Sequence, residues 1–334
     1  MSRLRQILDG IARPIGQEGR ARFQALPIPG LSSHFIGWNA AGAPAVLIET
    51  EDRGVRAPVR LSALDVQFCI PCDVSMPGGD HEQLQLSVVI CTSTDEALRD
   101  YFLHLMDTLT QIIGQRPTLN AVAEAIGHFA QILQQLARPQ RRSAIGLYAE
   151  LMIILLSRNP NLCVNAWRAG IDDRFDFAAA RGRLEVKATS DRVRAHYFSY
   201  EQCVPHNDVD AVIASMFVEP SGGGQSLNEL IDLIARRIGD DLQAQVKLRT
   251  VIANSLGTAL LQTLDIRFDE SLARSTLAFF SAQSIPAIRS LVPQAVSAVR
   301  FRSDLSGVSQ VGVEAISQAN PALRELLPNQ AISS

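Results

Sequence analysis

The sequence predicts an α/β (α+β) protein with two parts: a β-rich and then helical N-terminal domain, and a C-terminal core in which helices flank a mixed sheet. Apolar residues follow strand-like patterns before Thr94 and a helical period after it. Residues 141–240 then run in the order helix, strands, helix, which is typical of an α/β unit. The chain of 334 residues is also longer than the ~250–300 residues at which single cores stop growing, so two domains are expected.

The predicted boundary lies at RPQRRS (138–143), a polar basic segment that contains a proline. Domains are therefore expected at residues 1–138 and 139–334. The first domain begins with β-forming segments that Gly, Pro and Asp residues separate. Its predicted strands are PAVLIET (44–50), VRAPVRL (55–61), VQFCIPC (66–72) and LQLSVVICT (84–92). Two helices follow, one that ends at Gly114 and one between Pro117 and Pro139.

The second domain begins with a predicted helix, SAIGLYAELMIILLSR, which Ser143 caps and whose apolar residues indicate burial. PSGGGQS predicts a flexible turn before a helix that the Ser226–Glu229 capping box opens. The remaining predictions are a strand at CVNAW (163–167), a hairpin at RFDFAAARGRLEVKAT (174–189) and a strand buried on both faces at DAVIASMFVE (210–219).

The composition indicates the cellular compartment and limits the kinds of partner that are expected. Five scattered cysteines favour the reducing cytoplasm over a disulfide framework. The first residues lack an apolar stretch of signal-peptide length, and the longest aliphatic run, LMIILL, is far shorter than the ~20 residues a membrane span needs. We therefore expect a cytoplasmic protein that does not enter a membrane. A net charge of −3 means that any nucleic-acid surface has to be local.

The hairpin carries an aspartate, a glutamate and a lysine between apolar neighbours. Side chains alternate along a strand, so Glu185 and Lys187 share a face while Val186 points to the other. If residues 180–181 form the turn, Asp176 faces Glu185, and if the turn lies one residue later, Asp176 faces Lys187. In both registers the three charges share one face, with opposed Cβ atoms ~4.5–5.5 Å apart.

Two carboxylates at this distance repel each other unless a cation lies between them. The hairpin is therefore either an ordinary solvated face or a site for a hard divalent cation, which prefers oxygen ligands. Mg²⁺, or Mn²⁺ in its place, bound by Asp176, Glu185 and the Val186 carbonyl would polarise a phosphoryl oxygen and lower the pKa of a bound water. Lys187 would orient that water or stabilise the developing charge. Only two of the 31 basic residues are lysines, which favours a specific need for this ammonium.

Asp176 followed by Glu185-Val186-Lys187 resembles the PD-(D/E)XK nuclease superfamily, which includes restriction enzymes and repair nucleases. The segments GLYAEL, AWR, RFDF, LEVKAT and FSYEQ are similar to PD-(D/E)XK proteins found beside methyltransferases and ATPases in bacterial restriction and phage-defence gene clusters. Phe175 stands where the superfamily's name has proline. The resemblance implies a restriction-endonuclease-like core. It also implies that Glu150, on the preceding helix, joins Asp176 and Glu185 as a catalytic and metal-binding acid, with Lys187 as the catalytic lysine.

A basic region surrounds the hairpin. Residues 138–194 contain eleven Lys and Arg against six Asp and Glu, in a chain whose net charge is −3. Such a local excess suits the docking of a phosphate backbone. The predicted DNA contacts are Arg168, Arg174, Arg192 and Arg194, which lie nearest the carboxylates in sequence, together with His196 and, through the resemblance, Gln202.

The sequence thus predicts a Mg²⁺-dependent DNA endonuclease that hydrolyses phosphodiester bonds. The resemblance adds the setting, a bacterial restriction or anti-phage defence system in which a methyltransferase and a helicase-like ATPase are partners, and it allows a homodimer. The alternative is a nuclease-fold subunit that docks on DNA or has a structural role, depends on a partner ATPase and does not cleave alone. Intact ligand residues argue against a decayed site and leave dependence on a partner open. A third alternative is an α/β enzyme that acts on substrates other than nucleic acid.

Overall fold

The computed structural model describes residues 3–14, 22–76, 81–135, 142–168, 173–204, 209–290, 292–293 and 295–329. The chain divides into two compact units, residues 1–137 and 138–334. Both units combine helices with sheets, which confirms the predicted α/β (α+β) class. In the part of the chain just defined, no helix has the length and apolar character that a membrane span requires.

The first unit is built on a six-stranded sheet in the order β1-β2-β3-β6-β5-β4. Its strands are β1 (Arg22–Ile28), β2 (Leu31–Asn39), β3 (Pro44–Ile48), β4 (Val59–Leu61), β5 (Leu64–Ser75) and β6 (His81–Cys91). Its helices are α1 (Arg3–Asp9), α2 (Glu96–Ile113) and α3 (Leu119–Gln135). Strand β5 also pairs with β1 in parallel, so the pairings close into a ring around a core that includes Phe23, Leu47 and Val88. The four strand segments and two helices predicted for this part of the chain all overlap observed elements, but VRAPVRL is a strand only at Val59–Leu61. Strands β1 and β2 lie outside the predicted segments.

The second unit holds the predicted hairpin. Its helices are α4 (Ala144–Leu156), α5 (Pro160–Ala166), α6 (Tyr200–Cys203), α7 (Leu227–Ile238), α8 (Leu242–Leu256), α9 (Leu260–Thr263), α10 (Glu270–Ser275) and α11 (Val313–Ala319). Its strands are β7 (Phe177–Ala179), β8 (Gly182–Thr189), β9 (Ala195–Ser199), β10 (Asp210–Phe217), β11 (Pro220–Ser226), β12 (Arg267–Phe268), β13 (Ala278–Ser281) and β14 (Arg300–Asp304).

The central sheet of this unit has the order β13-β10-β8-β7. Strand β8 is parallel to β10 and antiparallel to β7, and β13 is antiparallel to β10, so the sheet is mixed, as predicted. Residues 211–216 of β10 are all buried, which confirms the prediction of a strand covered on both faces. Helix α4 packs against β8, with Ser143 as its N-cap. The sheet therefore places the Glu-x-Lys strand in the middle of the unit.

Two local predictions are wrong. CVNAW does not form a strand but lies largely in helix α5, because the Asn159 side chain accepts a hydrogen bond from the Leu162 N–H and Pro160 suits the first helical turn. PSGGGQS is not a flexible turn but strand β11, which pairs with β12. Its glycines permit a close backbone approach, since a Cβ on Gly224 would lie 2.0 Å from the Phe268 carbonyl oxygen.

The hairpin closes through a two-residue turn at Ala180 and Arg181, because Ala179 pairs with Gly182 and Phe177 pairs with Leu184. Of the two registers left open by the sequence, this is the one in which Asp176 would pair with Glu185 if the ladder continued, but the ladder ends at Phe177. The turn places Ala180 at φ +45°, a left-handed conformation that a β-carbon disfavours.

Replacing Ala180 with glycine is expected to stabilise the second unit by about 0.5–1 kcal/mol, because glycine adopts this backbone conformation without a steric cost. Urea unfolding followed by far-UV circular dichroism measures the change. Ala179→Gly is the matched control, because Ala179 lies in strand β7, and it should destabilise the protein. Equal destabilisation by both changes would contradict the turn geometry.

Candidate active site

Strand β8 brings Glu185 and Lys187 to the same face of the sheet. The Glu185 side chain is buried, and its Oε1 atom accepts a hydrogen bond from Lys187 Nζ at 2.6 Å. Strand β10 lies beside this part of β8, with Ile213 in register with Glu185 and Ser215 in register with Lys187. The predicted glutamate and lysine therefore form a largely buried ion pair.

Asp176 lies immediately before strand β7 and points its carboxylate at the backbone of β8. Its Oδ2 atom accepts a hydrogen bond from the Val186 N–H at 2.9 Å, between the two charged residues of β8. On its other side, the Asp176 carbonyl accepts from the Arg168 N–H at 2.7 Å, and Trp167 forms an antiparallel bridge with Phe177. Both contacts fix the residue, so the structure brings Asp176, Glu185 and Lys187 together.

Glu150 lies on helix α4, and one oxygen of its buried carboxylate takes two donors. Its Oε2 atom accepts hydrogen bonds from Trp167 Nε1 at 2.7 Å and from Arg142 Nη1. The other Arg142 nitrogen, Nη2, lies 3.7 Å from Asp176 Oδ1 and donates to the Arg168 carbonyl at 2.8 Å. Arg142 thus connects Glu150 with Asp176. The ligand role of Glu150 stays a prediction.

Sequence reasoning counted Arg142 only as one member of the basic region. The signal that could have identified it is the glutamate itself, because a carboxylate on an otherwise apolar helix needs a cation. Arg142 directly precedes the N-cap Ser143, about two helical turns before Glu150, and is the nearest basic residue on that side that the structure describes.

The Lys187 ammonium has two further neighbours besides Glu185. Gln202 Oε1 accepts from it at 3.4 Å, and its Nζ atom lies 5.2 Å from the centroid of the Phe198 ring, a cation–π distance. Gln202 is itself held, because Oε1 also accepts from the Ser199 N–H at 3.0 Å and Nε2 donates to the Arg174 carbonyl at 3.0 Å. In this arrangement Gln202 positions the lysine, and its predicted contact with DNA stays a prediction.

Burial raises the pKa values of both acids on the hairpin, and repulsion by Asp176 adds to the rise at Glu185. The pKa of Glu185 rises from 4.5 to about 7, mainly through burial and then through the Asp176 charge, while Lys187 opposes the rise. Burial also raises the pKa of Asp176, against the attraction of Arg142 and the hydrogen bond from the Val186 N–H. The two acids therefore resist carrying their negative charges together, and an added cation would relieve this repulsion.

Three of the predicted DNA contacts bind other parts of the protein in this structure. Arg192 is exposed and forms a bidentate ion pair with Glu219, in which Nη2 lies 2.9 Å from Oε2. The half-buried Arg194 donates to both the carbonyl and the Oγ of Ser215. The buried His196 shares a 2.8 Å hydrogen bond with the same Oγ, and its pKa falls to about 4 through burial and the Lys187 charge. Their roles toward DNA stay predictions.

Arg168 and Arg174, the other two predicted arginines, have exposed side chains beside the hairpin. Arg168 is 52% exposed and forms an ion pair of 3.6 Å with Asp173. The Arg174 guanidinium has no ion-pair partner among the residues that the structure describes. These two cations are the best placed of the predicted set to meet a phosphate, and that role also stays a prediction.

The donor set can be compared with the needs of the predicted metal. Within the described ranges, no group of three or more His, Cys, Asp and Glu side chains is arranged to hold a metal ion. Mg²⁺, however, is commonly bound by one or two carboxylates, with water and substrate phosphate completing its shell. Asp176 and Glu185 supply two hard oxygen donors, and because burial raises the pKa of both, a bound cation would stabilise their charged forms. The residues present therefore fit Mg²⁺ or Mn²⁺.

In metal-free buffer, replacing Glu185 with glutamine should change how stability depends on pH. The folded protein binds this proton more tightly than the unfolded chain between pH 4.5 and about 7, so the wild type loses stability as the pH rises through this interval. Glutamine does not titrate, and the variant should gain about 1–3 kcal/mol relative to the wild type between pH 5 and pH 8. Urea unfolding in EDTA at both pH values measures this gain.

The control for this experiment is Glu219→Gln, because the Arg192 hydrogen bond lowers the pKa of that exposed glutamate. This variant should show no gain relative to the wild type as the pH rises. Parallel stability curves for Glu185→Gln and the wild type would contradict the raised pKa.

Replacing Arg142 with glutamine should destabilise the second unit by about 3–5 kcal/mol, because it leaves the buried Glu150 carboxylate without this cation. The double variant with Glu150→Gln should recover much of that loss, since a neutral amide can still accept the hydrogen bond from Trp167. Thermal unfolding of the two single variants and the double variant measures the coupling. Strictly additive losses would show that the two side chains do not interact.

Comparison with known proteins places these observations in a family. Residues 16–306 match the family model described as "Putative PD-(D/E)XK family member, (DUF4420)". Neither the comparison with curated proteins nor that with solved structures gave a match. The family match covers most of the chain, includes the hairpin and confirms the resemblance to PD-(D/E)XK nucleases. The mixed sheet with its flanking helices is consistent with a restriction-endonuclease-like core. The chain therefore belongs to this PD-(D/E)XK family.

Proposed function

We propose that the protein is a metal-dependent DNA endonuclease that hydrolyses phosphodiester bonds. The observation that carries this proposal is the hairpin, where Asp176 and the Glu185–Lys187 pair meet through the hydrogen bond to the Val186 N–H. Family membership supports a nuclease type of function. Two acids with raised pKa values beside an ammonium form a set suited to phosphodiester hydrolysis.

Asp176 and Glu185 would hold Mg²⁺ or Mn²⁺, with the Val186 carbonyl as a further oxygen ligand. Such an ion polarises a phosphoryl oxygen and lowers the pKa of a bound water. Lys187 would stabilise the negative charge that develops on the phosphate or orient the attacking water. Gln202 and Phe198 would keep the ammonium in place for this task, because the first accepts a hydrogen bond from it and the second lies at a cation–π distance.

Glu150 and Arg142 would act on the same reaction by holding Asp176. Arg142 lies between the two carboxylates, so it partly neutralises Asp176 and limits its movement. Arg168 and Arg174 would bind the phosphate backbone near the scissile bond, since their side chains are exposed next to Asp176. DNA affinity would then decrease as the salt concentration rises.

The wider setting is proposed on the resemblance alone. In it, the protein acts in a bacterial restriction or anti-phage system, in the cytoplasm, with a methyltransferase and a helicase-like ATPase as partners, and a homodimer would supply two active sites. The competing proposal is a nuclease-fold subunit that docks on DNA and leaves cleavage to a larger complex. Cleavage by the purified protein separates the two proposals.

Purified protein incubated with plasmid DNA and Mg²⁺ or Mn²⁺ should nick or linearise the plasmid, and EDTA should prevent this. Lys187→Ala and Asp176→Ala should each lower the cleavage rate by at least about 100-fold, because the first removes the ammonium proposed to act at the phosphate and the second removes a proposed metal ligand. Gel electrophoresis of the products over time measures the rates.

Lys247→Ala is the matched control, because Lys247 is the other lysine and donates to the Asn165 carbonyl of helix α5 rather than to a residue of the hairpin. It should retain wild-type cleavage, and circular dichroism checks that all variants are folded. Metal-independent cleavage, or cleavage that survives both hairpin variants, would overturn the proposed site. DNA binding without cleavage in every metal tested would favour the docking subunit.

A further inference from the structure

A cleft opens beside the candidate active site within the second unit. Its volume is about 590 Å³, within the range that small-molecule sites occupy. Its walls include Arg174 and Phe175, the two residues before Asp176, and Tyr200 and Glu201, the two residues before Gln202. The cleft and the candidate active site therefore share the same short backbone segments.

Arg183 connects the cleft to the active-site face of strand β8. Because side chains alternate along a strand, Arg183 lies on the same face as Glu185 and Lys187. Its partner in the ladder is Ala178, which also lines the cleft. Arg183 Nη1 donates to the Ala180 and Gly182 carbonyls, at 2.8 Å each, so the guanidinium is held at the hairpin turn. Arg183 therefore extends the row of charged side chains on β8, which includes Glu185 and Lys187, into the cleft.

The cleft has both charged and apolar walls. Three arginines line it, Arg168, Arg174 and Arg183, of which Arg168 pairs with Asp173. Much of the remaining lining is apolar and includes Phe175, Val296 and Val299. The chain holds these walls in place, because the Tyr200 N–H donates to the Val299 carbonyl at 2.9 Å and Gln202 Nε2 donates to the Arg174 carbonyl at 3.0 Å.

Guanidinium groups beside an apolar and aromatic surface match the two chemical parts of a nucleotide. Arginine binds phosphate through parallel hydrogen bonds, whereas a base stacks on aromatic and apolar side chains irrespective of its sequence. The Glu201 carboxylate lines the same space and can accept a hydrogen bond from the amino group of a base. A paired base inside a duplex presents only its edges, so it could not stack in such a cleft.

We propose that this cleft binds one unstacked nucleotide of the DNA substrate, with its phosphate at Arg174 and Arg183 and its base against the apolar wall. The proposal rests on the proposed function, since it takes DNA as the substrate. It predicts that the protein prefers DNA with an unpaired nucleotide next to the scissile phosphate, either a single-stranded flank or a nucleotide extruded from the duplex.

The test compares binding of fluorescent DNA by anisotropy in EDTA, where no metal-dependent cleavage occurs. The probes are a 12-nucleotide single strand, a fully paired duplex of the same sequence and a duplex with one unpaired nucleotide. Arg183→Gln and Val296→Asp should each weaken binding of the two probes with unpaired nucleotides by about tenfold and leave the paired duplex within about twofold. Arg267→Gln is the matched control, because Arg267 pairs with Glu229 and does not line the cleft.

Val296→Asp stands alone as the test variant if Arg183→Gln does not fold, because Val296 is exposed, lines the apolar wall and has no proposed contact with the DNA backbone. Equal weakening of all three probes would overturn the proposal, since it would indicate a general electrostatic surface. Unchanged binding of every probe would overturn it as well. A free nucleotide is the other source of this ligand chemistry, and deoxycytidine monophosphate tests it by competition. Tight, variant-sensitive binding of that monophosphate with unaffected strand binding would also overturn the proposal for DNA.

The binding assay can fail or succeed independently of the plasmid cleavage assay, so the two proposals are tested separately. Selective loss of single-strand binding supports the cleft even when the purified protein cuts no DNA, in which case only the endonuclease proposal fails. Metal-dependent cleavage in a protein whose cleft variants bind every probe normally overturns the cleft and leaves the endonuclease proposal intact.

Discussion

The candidate active site depends on one hydrogen bond, from the Val186 N–H to Asp176 Oδ2. Asp176 precedes strand β7 and is not part of the β7–β8 ladder. This bond therefore holds the Asp176 carboxylate against strand β8, at the residue between Glu185 and Lys187. The two-residue turn makes the bond available, because a turn shifted by one residue would place a different residue opposite Asp176. One short hairpin thus positions Asp176, Glu185 and Lys187 relative to one another.

The buried acids and cations of the site alternate, which limits the repulsion between like charges. Each acid of the site has a cation next to it: Arg142 lies between Glu150 and Asp176, and Lys187 binds Glu185. The attraction is incomplete, because burial still raises the pKa values of Asp176 and Glu185. Such a site is stable enough to fold, yet it gains when a further positive charge arrives. This combination suits a centre that acquires its metal and its anionic substrate together.

Much of the architecture follows from local signals. Alternating or clustered β-forming residues predicted the strands around Leu47 and Val88, and a continuous apolar run predicted the strand around Ile213. A capping serine predicted the start of α4. Predictions failed where two local signals competed. At CVNAW, β-branched and aromatic residues indicated a strand, but the Asn159 cap and Pro160 upstream made a helix. At PSGGGQS, the composition indicated a turn, whereas pairing with distant residues 267–268 made a strand.

The sequence by itself determined which residues are candidates for the chemistry, because Asp, Glu-x-Lys and their spacing are properties of a contiguous segment with a strand period of two. It left the hairpin register open and did not assign a partner to Glu150. Only the tertiary structure decided that Asp176 faces the β8 backbone, that Arg142 joins it to Glu150, and that Gln202 and Phe198 hold Lys187. These contacts join residues from separate elements, and their geometry follows from how the sheet and helices pack, which short-range patterns do not encode.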